Sequence, residues 1–191
     1  MEDYSDDRLV GMAKADEVEA FAELARRYQG KIFRTVLSLT RNRSDADDLT
    51  QEAFMKAFRA LPGFKQEAGF YTWLYRIAIN LTLNHLKKTG PGNKLRRDLD
   101  PELQPDGHAA GEAHSSPEQR SLNTELRRRL KEAVDALPLG YRLAFVLVEI
   151  QGMSHRQASA VLRCAENTVS WRMHRARRIL QSWLKPYLDG G

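Results

Sequence analysis

The segment FYTWLYRIAINLTLNHLKK, Phe70 to Lys88, decides how this chain is read. It sets four aromatic residues in its first six positions and ends on two lysines. At about 100° per residue, Phe70, Leu74, Ile77, Leu81 and His85 fall on one side, as the core-facing stripe of a helix should. Tyr75, Ile79 and Leu86 make a second apolar side, roughly opposite. Between them runs a narrow polar strip of Thr72, Arg76, Asn80 and Lys87, with Trp73 at its border. The pattern predicts a helix buried on two faces that keeps an aromatic, a cation and an amide on the third.

Helical periodicity continues on both sides of this segment, and no sustained alternation suggests strands. Upstream, Phe21, Leu24, Ala25 and Tyr28 open a helix that runs on through Ile32, Val36 and Leu39. RNRSDADDL then breaks and restarts the chain, with Ser44 as the expected N-cap and Asp47 three residues on. The helix it starts carries ADDLTQEAFMKAFRAL and stops at Pro62-Gly63. Downstream of Lys88 the composition changes to Gly, Pro and polar residues for about thirty residues, too long for a packed loop, and reads as an interdomain linker.

Helical pattern resumes near Ser121 and ends before Pro138. GYRLAFVLVEI, 140–150, is almost wholly apolar and is expected to be buried. GMSHRQASAVLRCAENTVSWRMHRARRIL then gives a short helix, a turn and a longer basic helix. Ser154 caps the first, with Ala158, Val161 and Leu162 facing inward, and Val169 and Met173 pack the second against it. This is helix-turn-helix spacing. On the basic helix, Asn167, Ser170, Trp171, His174, Arg175 and Arg178 are read as outward, with Thr168 beside them and Arg172 and Arg177 at the flanks. Arginine and asparagine can read guanine and adenine edges, and the remaining cations would hold phosphates.

The bulk numbers agree with a polyanion as partner. The chain has 191 residues and a net charge of +5, enough length for one ordinary domain or two small ones. Residues 61–88 hold 4 Lys/Arg against 1 Asp/Glu and residues 121–191 hold 12 against 6, while 89–120 between them hold 4 against 6. Two basic segments divided by an acidic connector suit a polyanion touched at two places. No apolar run approaches a membrane span, the acidic MEDYSDD is no signal peptide, and the single cysteine, Cys164, points to a reducing compartment.

Three stretches in order, DADDLTQEAFMKAFRALPGF, FYTWLYRIAIN and the helix-turn-helix segment, make the chain resemble the extracytoplasmic-function sigma factors, the small two-domain sigma subunits of bacterial RNA polymerase. The resemblance covers about residues 5–88 and 121–185. It implies an all-α fold of two small helical domains, sigma region 2 over 1–88 and sigma region 4 over 121–191, joined by a flexible linker over 89–120. It implies a non-enzymatic, cytoplasmic subunit that directs core polymerase to promoters and helps open the DNA. Its implied partners are the β and β′ subunits of core polymerase, promoter DNA and a cognate anti-sigma factor that can hold it at the inner membrane, with no cofactor and no metal.

The resemblance also distributes roles. It assigns Asp48, Gln51, Glu52 and Met55, which share a helix face, to the clamp helices of the largest polymerase subunit. It assigns Thr72, Trp73, Arg76, Asn80 and Lys87 to an unpaired base of the −10 element, with Phe64 at the base pocket, and leaves Tyr75 in the core. Stacking aromatics and a cationic track are what single-strand capture requires. Asn167, Thr168, Ser170, Trp171, Arg172, His174, Arg175 and Arg178 fall to the −35 element.

The chain departs from the family pattern at the reading surface. Asn167 stands where glycine is usual, Ser170-Trp171 replaces a basic-small pair, and Gln157 and Ser159 replace an acidic residue and an alanine. Asparagine tolerates unusual φ and caps helices, so the junction geometry is expected to survive. The competing reading is a helix-turn-helix regulator acting without core polymerase, but residues 1–88 lack the strand–helix alternation of a receiver or ligand domain. An enzyme is less supported still: His85, His108, His114, His155 and His174 are scattered without metal spacing, and no phosphate loop or nucleophile elbow is present.

Overall fold

The computed structural model describes residues 4–89 and 120–188, and every element of secondary structure among them is helical. The expected linker, 89–120, lies outside the described residues except at its two ends, as do His108 and His114.

The first element was not anticipated from the sequence. α1, Asp6–Lys14, starts at Ser5, whose hydroxyl accepts from the Arg8 amide, and carries Asp6 and Asp7 in its first turn and Lys14 in its last. Those charges complement the helix dipole. Its buried residues are only Leu9, Val10 and Ala13. Arg27 of α2 (Val18–Thr40) ties α1 down by donating to the Tyr4 carbonyl at 2.7 Å and to Asp6 at 3.1 Å, and Tyr28 bonds the same carboxylate. Hydrogen bonds from Arg26 and then Arg27 hold the Glu23 carboxyl down to about 2. The Glu23 carboxylate therefore stays ionised in the folded protein below its ordinary value of 4.5, and what its ion pairs contribute is lost progressively as pH falls from there toward about 2.

α2 buries Ala20, Phe21, Leu24, Ile32, Val36 and Leu39 and ends at Arg41, in the left-handed region at φ 57°. α3, Arg43–Ala60, follows at once. Its N-cap is Asn42 and not the expected Ser44. Asn42 is extended and its side-chain oxygen accepts from the Ser44 amide at 2.9 Å and the Asp45 amide at 3.3 Å, so Ser44 already lies inside the first turn. A 3-10 turn, Leu61–Gly63, closes the helix at the expected Pro62-Gly63.

α4, Phe70–Thr89, answers why one helix should hide two faces. It packs against α2 and α3 on one side and, on another, against α7, His155–Leu162, from the second half of the chain. Its deepest line is Leu74, Tyr75, Ala78, Ile79 and Thr82, while Ile77, Leu81 and His85 of the expected stripe are only half-buried. Two hydroxyls complete the seam between the halves. Tyr71 donates to the Gln151 carbonyl at 3.0 Å, and the wholly buried Tyr75 donates to the Gln151 side-chain oxygen at 2.8 Å. Burial raises both phenols above their ordinary range.

The second half comprises α5 (Arg120–Ala136), α6 (Leu139–Phe145), a wider π turn over Val146–Ile150, α7, and α8 (Glu166–Leu188). The apolar segment is buried from Leu139 through Ala144, but it surfaces at its end, where Glu149 is exposed and Ile150 is 61% exposed. The π turn and Gly152, at φ 68°, steer the chain out toward α7 there. Ser154 caps α7 as expected, in a reciprocal box with Gln157: the Gln157 amide donates to Ser154 Oγ at 3.1 Å and the Ser154 amide to Gln157 Oε1 at 2.9 Å. Glutamine serves this box as well as an acid would. Ala158, Val161, Val169 and Met173 are buried where α7 and α8 meet.

Candidate nucleic-acid interface

Three exposed surfaces can be built up from these elements. On α8, burial of Val169, Met173, Ala176 and Leu180 fixes the inner face. The opposite side carries Asn167, Ser170, His174 and Arg178, all exposed, at steps of three and four residues. This line is what a helix needs to offer a groove. Thr168, Arg172 and Arg175 flank it, half-buried.

Two expectations about α8 are corrected. Trp171 is not an outward residue of the line. It is half-buried, meets Tyr141 edge-on at 5.6 Å and joins the small cluster of Ala133, Leu137, Tyr141, Ala176 and Leu180. An indole has too much apolar area to stay in water when such a cluster lies beside it. Arg175 lies over its ring at 5.6 Å. Asn167 needs no unusual backbone angle, because the left-handed residue of the turn is Arg163, at φ 53°, which ends α7. Arg177 is already engaged, with Glu149 at 2.5 Å.

On α4 the polar strip survives in altered form. Arg76 and Lys87 are exposed, and Trp73 and Asn80 are half-buried on the same side. Thr72 leaves the strip: it is 4% exposed and turned inward. The strip gains Asn84, an exposed second amide one turn beyond Asn80, which the sequence pattern did not single out. Phe64 is 6% exposed and stacked on Trp73, ring centres 4.6 Å apart at 29°, so the place expected to be a base pocket holds a closed aromatic pair. Lys14, fifty residues away, donates to the Phe64 carbonyl at 2.5 Å and fixes that loop from α1. No local signal in the sequence could have linked the two.

On α3, Asp48, Gln51, Glu52 and Met55 are all exposed, backed by buried Ala53 and Ala57. Glu52 pairs with Lys56 at 2.9 Å. Phe58, 44% exposed and edge-on to Phe21 at 5.0 Å, extends this face beyond Met55 with a ring the sequence reading did not include. The three surfaces are acidic-apolar on α3, mixed aromatic and amide on α4, and cationic-polar on α8. Among the described residues no group of three His, Cys, Asp or Glu could hold a metal, and no helix is long and apolar enough to cross a membrane. The Cys164 thiol, half-buried in the turn, is raised by burial.

Comparison with known proteins finds two family matches along the chain. Residues 24–91 match the family model of sigma-70 region 2, and residues 127–180 that of sigma-70 region 4. The chain is 36% identical to the RNA polymerase sigma-H factor of Pseudomonas aeruginosa over 96% of its own length and 95% of that protein. It is 35% identical to the ECF RNA polymerase sigma-E factor of Escherichia coli strain K12, over 98% of each. Among solved structures, CnrH in complex with the cytosolic domain of CnrY superposes with a TM-score of 0.68 at 26% identity, covering 95% of this chain and 97% of that one.

Proposed function

Because this chain belongs to the extracytoplasmic-function sigma factors, subunits that start transcription by bacterial RNA polymerase, we propose how it divides that work among its surfaces. The region 2 unit, 1–88, engages core polymerase through the α3 face and the −10 element through the α4 strip. The region 4 unit, 121–191, reads the −35 element through α8, and 89–120 links them. The observation that carries this reading is the pair of polar lines, Arg76-Asn80-Asn84-Lys87, exposed except for half-buried Asn80, and Asn167-Ser170-His174-Arg178, all exposed, on two separate helices with apolar backs. One offers an aromatic and amides for unpaired bases; the other offers a groove-reading helix.

The same reading makes the chain a binding subunit without catalysis of its own, acting where polymerase and chromosome are, in the cytoplasm. A protein domain that binds and masks it is the expected control; the similar CnrH is found in complex with the cytosolic domain of CnrY. An anti-sigma factor anchored at the inner membrane would suit that role.

The test is transcription with and without core polymerase. The isolated chain should bind promoter DNA poorly, and adding core enzyme should yield open complexes without nucleotide hydrolysis by this chain. Tight operator-like binding by the free protein at physiological salt would instead support the regulator reading.

The α3 assignment has its own check. Charge reversal at Asp48 or Glu52, both exposed, should weaken association with core by about fivefold or more while helicity and thermal stability stay nearly constant. Normal capture of core by both variants in a pull-down would remove α3 from the interface.

A further inference from the structure

The departure at Ser170 has a structural counterpart. Of the pair Ser170-Trp171, the indole is turned toward Tyr141, so Ser170 alone faces outward at this point of α8. Its hydroxyl has two neighbours inside the protein: His155 Nδ1, the first residue of α7, at 2.9 Å, and the Glu166 carbonyl one turn back at 3.3 Å. The His155–Ser170 contact bridges the two helices of the helix-turn-helix at their exposed edge.

A serine hydroxyl has one proton and two lone pairs. Where His155 Nδ1 is bare, it takes that proton at the shorter distance. The Glu166 carbonyl, at the longer distance, competes only weakly for it. With Nδ1 as the acceptor the hydroxyl proton points inward, and what Ser170 presents outward is a lone pair. Serine left to itself donates to or accepts from any base edge. Held in this way it can only accept. In the major groove the donors are the exocyclic amines of cytosine and adenine, whereas guanine and thymine present acceptors at the matching atoms.

Resting on the reading of α8 as the −35 helix, we infer that His155 is a positioning residue for promoter specificity. It commits the Ser170 hydroxyl to acceptance, and so biases one −35 position toward an adenine or cytosine amine. Nothing in this assignment requires His155 itself to touch a base.

The experiment is a competition series with core polymerase and the full chain, over promoters carrying each base at each −35 position. The parent should prefer A or C over G or T at one position by roughly fivefold, a single hydroxyl contact being weaker than a bidentate pair. His155→Ala should shrink that preference below twofold at that position and leave the other positions unchanged. Ser170→Ala should erase the same preference, and the double variant should equal the Ser170 variant. Circular dichroism should show all three folded, since Ser170 is exposed and His155 only half-buried. Uniform weakening by His155→Ala on every promoter would make it a phosphate contact and overturn the inference. So would a preference that survives Ser170→Ala. If Arg178→Ala also leaves every −35 position unaffected, the reading of α8 itself is wrong, and the role of His155 falls with it.

Discussion

Replacing Asn80 with alanine is expected to spare core binding and closed-complex formation and to reduce promoter opening by roughly tenfold or more. Asn80 sits half-buried on the α4 strip between exposed Arg76 and Asn84, one turn each side, and two turns from Trp73. Its amide can donate to and accept from the edge of a base, which a duplex hides and a flipped base displays. Extruding that base costs a few kcal/mol, which pocket contacts must offset, and one lost hydrogen bond is worth about 1–3 kcal/mol when its partner is left unsatisfied. Supplying a template already mismatched across the −10 region removes most of the cost. The Asn80 variant should then recover part of its activity, and a Trp73→Ala variant likewise, although the latter also loses the stack on Phe64. Permanganate footprinting of unpaired thymines on matched and mismatched templates reads this directly. An Asn80 variant that opens matched promoters as the parent does would show the strip to be ordinary surface.

The second large effect belongs to the arginines of α8, and the structure separates them. Arg178 is exposed on the reading line, whereas Arg175 is half-buried with its guanidinium over Trp171. Arg178→Ala should cost about 1–3 kcal/mol at one −35 base pair if the contact is bidentate to guanine. Arg175→Ala should combine a binding loss with a looser Trp171, and therefore lower the melting temperature as well. A competition series over single-base −35 variants distinguishes base readout from phosphate binding. A phosphate contact weakens every sequence alike and shallows the salt dependence. Equal loss on all variants would remove Arg178 from the base-reading set.

Much of this architecture was legible in the sequence because its strongest signals are local. Ser154 as a cap, Val169 and Met173 as inward residues, and the stop at Pro62-Gly63 each depend on neighbours within a few positions. The misreadings occurred where a distant or adjacent competitor decided the outcome. Ser44 lost the cap to Asn42 because the left-handed Arg41 places the extended residue two positions earlier. Thr72 is small enough to turn inward, and the second amide, Asn84, was hidden in a stretch read for its apolar residues. Trp171 was assigned by its position on the wheel, but the cluster around Tyr141 claims it from outside that helix. α1 buries three residues in nine, too few for periodicity to announce.

The seam at Gln151 sets a scale of distance against the promoter. Helix axes in contact lie about 8–10 Å apart, and α4 and α7 are in contact. The −10 and −35 elements, by their own coordinates, are about 25 base pairs apart, which at 3.4 Å each is roughly 85 Å along the duplex. If α4 takes the −10 element and α8 the −35 element, the arrangement joined by Tyr71, Tyr75 and Gln151 would have to part for one chain to span a promoter. A chain resting mostly in the joined conformer has its apparent affinity for the two-element site reduced by the fraction that is parted. Whatever holds the halves apart restores that fraction, with no new contact to DNA at all. On that reading core polymerase would act on promoter recognition as a spacer, working against the tyrosine hydroxyls on Gln151.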